Sequence, residues 1–159
     1  MRKILLEIPS CNITLTATMR DNDEPEMAQE FWDFLEKPVK VISHPTMSTG
    51  DLSVCFPRPP LEPPEKIGDQ TNPLVKDSPF LTTGPGKDHV QAGEIIWLGW
   101  NFMFVYGPSC TEPLRSGGAK VAQVDKECME DLEKAREDLW NHTYLYHKLG
   151  TITVSRKEG

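Results

Sequence analysis

Gly93-Glu94-Ile95-Ile96-Trp97-Leu98-Gly99-Trp100-Asn101-Phe102-Met103-Phe104-Val105-Tyr106 is the stretch densest in Ile, Trp, Phe and Val. Residues 94–98 and 101–106 read as two strands, because β-branched and aromatic side chains favour a pleated surface. Their near-continuous apolar character places both in a sheet covered on its two faces. The fold is therefore mainly β, and the rest of the chain is read around this pair.

Upstream, residues 4–8 form an apolar run. Residues 12–18 alternate Ile13, Leu15 and Ala17 against Asn12, Thr14, Thr16 and Thr18, the period of two of a half-buried strand. Pro9-Ser10 supplies the turn between them. Asp23, Pro25 and Glu26 mark a helix start, with Asp23 as the cap and Glu26 completing a capping box. Met27, Phe31, Phe34 and Leu35 fall on one face of that helix, and Pro38 ends it. Short strands follow at 39–42 and 52–56, with a polar loop or bulged edge from His44 to Asp51 between them.

Downstream, 108–118 reads as a loop and 119–124 as a strand. Asp125 caps a second helix whose stripe is Cys128, Met129, Leu132, Ala135, Leu139 and Trp140, with Glu130 and Lys134 paired on its wet side. Residues 150–154 form a closing strand. The segment 57–85 breaks the pattern, since it holds eight of the chain's 14 prolines. Proline removes a backbone donor, which excludes a central strand or a long helix there. The 159 residues thus form one domain, 1–159, with a proline-rich insertion at about 57–85.

Composition narrows the function. A net charge of −7 argues against nucleic-acid binding, which needs clustered Lys and Arg. No stretch is long and apolar enough to span a membrane, and the opening apolar run is too short for a cleaved leader. Cys11, Cys55, Cys110 and Cys128 are far apart, so reduced thiols and a cytoplasmic location are expected. No cofactor is expected. Gly84-Pro85-Gly86-Lys87 lacks the first glycine and the Ser or Thr of a phosphate-binding loop. No metal is expected either, because His142 and His147 point to different faces and the cysteines lack ligand spacing.

Many strands with two isolated helices describe a closed barrel capped by the helices. At this point the chain resembles the cyclophilins. Pro25-Glu26-Met27-Ala28-Gln29-Glu30-Phe31 is similar to their Pro-x-x-Ala-x-x-Phe helix start. Asn101-Phe102-Met103-Phe104-Val105 resembles their Gln-Phe-Phe strand. Ala122-Gln123-Val124-Asp125-Lys126-Glu127-Cys128-Met129 resembles their Gly-x-Val-x-x-Gly-Met lead into the second helix, with one residue inserted. The resemblance implies a cyclophilin-like closed β-barrel capped by two α-helices.

The departures bear on activity. The isomerases carry an arginine in a Phe-His-Arg context, where this chain has Val41-Ile42-Ser43-His44-Pro45-Thr46-Met47. The later tryptophan and histidine of the isomerases have no match in 108–118. The chain is thus more similar to small bacterial and archaeal cyclophilin-like proteins of unknown function.

Carried over by position, the family's outer groove would be lined by His44, Met47, Asp51, Trp100, Phe102, Met103 and Arg115. His44 beside Asp51 would act as general base, with Asp51 as its orienter. Arg115, isolated among acids, suits a bidentate fork on a carboxylate. Core packing accounts for Trp97 and Phe104. The expected function is binding of a small anionic or amide-bearing ligand, with turnover by lyase, isomerase or hydrolase chemistry left open. Two alternatives stand beside it. One is peptidyl-prolyl isomerisation by fold analogy, without its arginine. The other is an interaction module using the proline-rich segment, with which a homo-oligomer is compatible.

Overall fold

The computed structural model describes residues 1–46, 49–61 and 72–158. In chain order the elements are β1 (Lys3–Ile8), β2 (Ile13–Met19), α1 (Pro25–Phe34), β3 (Val39–Thr46), β4 (Leu52–Arg58) and β5 (Phe80–Thr83). Then come β6 (His89–Val90), β7 (Glu94–Trp97), β8 (Phe102–Val105), β9 (Thr111–Arg115) and β10 (Ala119–Val124). A 3-10 turn, Lys126–Cys128, leads into α2 (Met129–Tyr144), and β11 (Gly150–Arg156) closes the chain.

Eight strands form a closed antiparallel barrel in the order β1-β11-β3-β4-β8-β7-β10-β2. Alternation along each strand fills its interior. Ile4, Leu6, Leu15, Ala17, Met19, Val41, Cys55, Ile95, Trp97, Phe102, Phe104, Ile152 and Val154 meet there in one buried cluster. Both helices pack on that cluster, α1 through Met27, Ala28 and Phe31, α2 through Leu132, Ala135 and Leu139. Phe31 reaches the rings of Trp97 and Phe102, at 5.2 and 5.9 Å between centroids. The expected mainly β barrel with two helices is the observed architecture.

The remaining strands form a second sheet, β6-β5-β9. It covers part of the barrel's outer surface, where Leu52, Ile96, Leu98 and Val105 gather with Leu81, Val90 and Cys110 in a second buried cluster. Residues 111–115, expected in a loop, are an edge strand instead. Pro113 is tolerated because an edge strand needs donors on one side only. The proline-rich segment 57–85, expected to hold no central strand, does hold one: β5 lies between β6 and β9, and its four residues, Phe80-Leu81-Thr82-Thr83, include no proline.

Strand β3 continues to Thr46, so of the two readings of this stretch, loop or strand edge, His44 and Pro45 follow the strand one. Pairing with β11 ends at Ser43, which leaves the nitrogen of Pro45 no ladder bond to lose. The expected caps also differ. Glu24 and Asp125 precede the two helical segments, and neither makes a side-chain cap bond. Their carboxylates serve elsewhere. Glu24 accepts the backbone N–H groups of Lys76 and Asp77, and Asp125 accepts from Lys3, Thr16 and Thr18. On α2, Lys134 pairs with Asp131 at 3.9 Å, not with Glu130.

Candidate functional site

A cleft of about 240 Å³ opens where the end of β2, the start of α1, the β5–β6 turn, β7 and β10 converge. Its lining is charged on all sides: Arg20, Asp23, Glu24, Asp77, Lys87, Glu94 and Lys120, with Gly86 and Gln91. Strand alternation explains the floor. On β7, Ile95 and Trp97 point into the barrel, so Glu94 must point out. On β10, Ala119 and Val121 point in and Lys120 points out. A bulge between Lys120 and Ala122 then inserts one extra inward residue. Such a bulge bends the strand where it lines the cleft.

Glu94 is 1% exposed and carries the floor's chemistry. One carboxylate oxygen accepts the backbone N–H of Gln91 at 2.5 Å. The other lies 3.1 Å from Lys120 Nζ and 3.3 Å from Arg20 Nη2. A buried charge is costly unless paired and hydrogen-bonded, and Glu94 is both. Lys120 is fully engaged, donating also to the carbonyls of His89 at 2.6 Å and Gly86 at 3.4 Å. Arg20 donates to Gln123 at 3.1 Å and lies 3.7 Å from Asp23. Glu24 is spent on the amides of 76 and 77, which fixes that wall.

What remains open toward the cleft is a set of four groups. Arg20, about 30% exposed, and Asp23 stand on one wall. Asp77 and Lys87 stand on the other, both exposed and with no side-chain partner among the described residues.

The residues singled out from sequence lie elsewhere. His44 is exposed on the outer face of β3, opposite Val54, which is opposite Met103, which is opposite Ile96. Met103 and Val54 are half-buried beside Trp100 at the margin of the second cluster. The Trp100 ring sits 6.1 Å from Phe56, and its buried indole N–H meets no acceptor among the described residues. These side chains share one face of the barrel.

Phe102 points to the interior and is fully buried. Asp51 is buried, accepts the Ser109 N–H at 2.7 Å and lies 3.7 Å from Arg136. Arg115 is exposed, its guanidinium 3.9 Å from the Phe80 ring and donating to the Ser78 carbonyl at 2.6 Å. Met47 lies outside the described residues. The four cysteines are free thiols. Among the described residues, no helix is long and apolar enough to cross a membrane, and no cluster of His, Cys, Asp or Glu could hold a metal ion.

No family model matches the chain, and no curated sequence does. Solved structures do match. McbB, solved in complex with tryptophan, is similar over 98% of this chain, with a TM-score of 0.72 at 20% identity. This chain spans 45% of the McbB chain. The solution structure of the hypothetical protein AF2241 from Archaeoglobus fulgidus is similar over 98% of this chain and 95% of its own. Its TM-score is 0.52 at 13% identity. The likeness is one of fold.

Proposed function

We propose that this chain is a cyclophilin-like barrel that binds a small zwitterionic molecule, of amino-acid size, in the cleft over Glu94. The observation that carries this reading is the carboxylate of Glu94, buried between Arg20 and Lys120 at the base of an open cleft. With Lys120 and Glu24 saturated by the protein, a ligand meets one cation and one carboxylate on each wall. A carboxylate on the ligand is served by Arg20 and Lys87, and an ammonium by Asp23 and Asp77. Arg20 offers the planar donor geometry that suits a carboxylate. The volume falls below the range of about 300–1,000 Å³ usual for drug-sized ligands, which favours a small guest. That McbB was solved with tryptophan supports a small-molecule role for this kind of barrel.

A thermal-shift series tests this reading. Free α-amino acids, the matching carboxylic acids and the matching amines are added to wild type and to the rim variants Lys87→Ala and Asp77→Asn. At a hundred times its dissociation constant, a ligand stabilises the fold by about 2.7 kcal/mol. The expected result is a shift with amino acids that weakens in both variants. A shift indifferent to both substitutions would place the ligand elsewhere.

The outer face keeps a second reading because the buried Trp100 N–H lacks a partner among the described residues. An amide-bearing ligand lying along His44, Val54 and Met103 would offer it a carbonyl once the indole, whose N–H is closed to solvent here, turns outward. His44→Ala and Trp100→Phe would then abolish binding while Lys87→Ala left it intact.

A further inference from the structure

The C-terminal end of α2 and the turn after it hold the densest run of exposed large apolar side chains among the described residues. Of the eight large apolar side chains that are exposed, four fall within six residues: Tyr144, Leu145, Tyr146 and Leu149. Leu145 and Leu149 are 63% and 71% exposed. The chain folds compactly there. Leu145 and Tyr146 donate their N–H groups to the Asn141 carbonyl, and Lys148 donates to that of His142. The Tyr144 hydroxyl is tied to the Pro45 carbonyl at 2.9 Å, and its ring lies 4.3 Å from that of Trp140. A contiguous apolar patch on an ordered surface marks an interaction site.

Charge along the same helix says what fits it. Between Glu130 and Asp138 there are five carboxylates, and between Leu139 and Lys157 there are none. The basic groups His142, His147 and Lys148 cluster at the apolar end. Several of the acids are already spoken for. Glu133 pairs with Arg136, Asp131 with Lys134, and Asp138 lies 3.6 Å from His142. Glu130 and Glu137 have no ion pair among the described residues, and neither have His147 and Lys148. Glu130 and Glu137 are seven residues apart in sequence, two turns, and so lie on one face of the helix.

A single element with an acidic first half and an apolar, basic end is its own complement when two copies run antiparallel. Self-complementarity is the requirement of a two-fold interface. We infer that two copies of this chain associate through the α2 end about a two-fold axis. Tyr144 and Leu145 of the two copies meet near the axis, and Lys148 of each copy lies against Glu137 of the other. The proline-rich segment is not needed for this contact.

Sedimentation velocity on the full chain, from low to high micromolar concentration, tests the inference. Wild type is expected to pass from monomer to dimer as concentration rises. Leu145→Glu/Leu149→Glu is expected to stay monomeric with unchanged far-UV circular dichroism, because both positions are exposed in the fold. Glu137→Lys and Lys148→Glu should each weaken the dimer at least tenfold, and the two together should restore it. A wild type that stays monomeric throughout overturns the proposal. So does a dimer that persists in Leu145→Glu/Leu149→Glu, and so does failure of the combined charge swap to restore association.

Discussion

Asp125 shows how one carboxylate can hold several elements together. It sits between β10 and the turn into α2, and it accepts from Lys3 of β1 at 2.6 Å and from Thr16 and Thr18 of β2 at 2.7 and 2.5 Å. Burial pushes its acidity toward the neutral form. The hydrogen bonds from Lys3, Thr18 and Thr16 outweigh burial and hold it below the ordinary carboxylate range. A depressed folded-state value means stability that is present above the unfolded value and lost as pH falls through the folded one. Lys3 moves the other way, raised first by its bond to Asp125, so its share persists at neutral pH and is lost only in strong alkali. Asp125→Asn is therefore expected to destabilise the protein by about 2 kcal/mol at neutral pH. The difference from wild type should shrink as pH falls below about 4. Urea titrations of both proteins at neutral and acidic pH check this; a penalty unchanged with pH would contradict the role given to the charge.

The same residue explains what could not be read locally. Asp before a helix signals a cap, and Asp125 has that position, but its oxygens are taken by β1 and β2. Asp51 is similar: it lies near His44 in sequence, yet its carboxylate turns to Ser109 and Arg136. The floor of the cleft carried a weak signal. Glu94 and Lys120 are ionisable residues set in otherwise apolar strands, which an alternation count would have marked as outward-facing.

At the scale of elements, a buried polar chain links β3 and β4 to the end of β8. Ser53 donates to the Tyr106 hydroxyl at 2.9 Å, Tyr106 shares a 2.9 Å bond with Ser43, and Ser53 lies 3.4 Å from the Cys55 thiol. Burial pushes the Cys55 thiol up to about 12 and raises the Tyr106 phenol as well, so both stay protonated near neutrality. Removing the central hydroxyl strands buried partners, which costs about 1–3 kcal/mol. Tyr106→Phe should lower the unfolding free energy by that amount, read as a lower urea midpoint with an unchanged slope. An unchanged midpoint would mean the chain contributes packing alone.

Most elements were legible because their pattern is local. The alternation of Ile13, Leu15 and Ala17, the proline at the start of α1, and the apolar stripe of α2 each need only a short window of sequence. Strand β9 was not legible. Thr111-Glu112-Pro113-Leu114-Arg115 has no apolar alternation and contains a proline, and it is a strand because β5 supplies a partner along one edge. Strand β3 was expected to end at Ile42 for a related reason, since the polar, proline-containing stretch from His44 reads locally as a loop or bulged edge, whereas the strand runs on to Thr46.

For the whole molecule, closure of the barrel joins residues that are distant in sequence. Arg20, Glu94 and Lys120 come from three strand ends, and no window of sequence contains them together. The outer face offers His44 and Trp100, the cleft offers a buried carboxylate between two cations, and the two sites make different demands on a ligand.

A nitrogen-15 HSQC titration of the whole chain with a free α-amino acid separates them most directly. Ligand in the cleft predicts saturable shifts at the amides of Asp77, Lys87 and Gln91, with those of His44, Val54 and Met103 still. Shifts centred on His44, Val54 and Met103, or no saturable shift at all, would contradict the assignment of ligand binding to the Glu94 cleft.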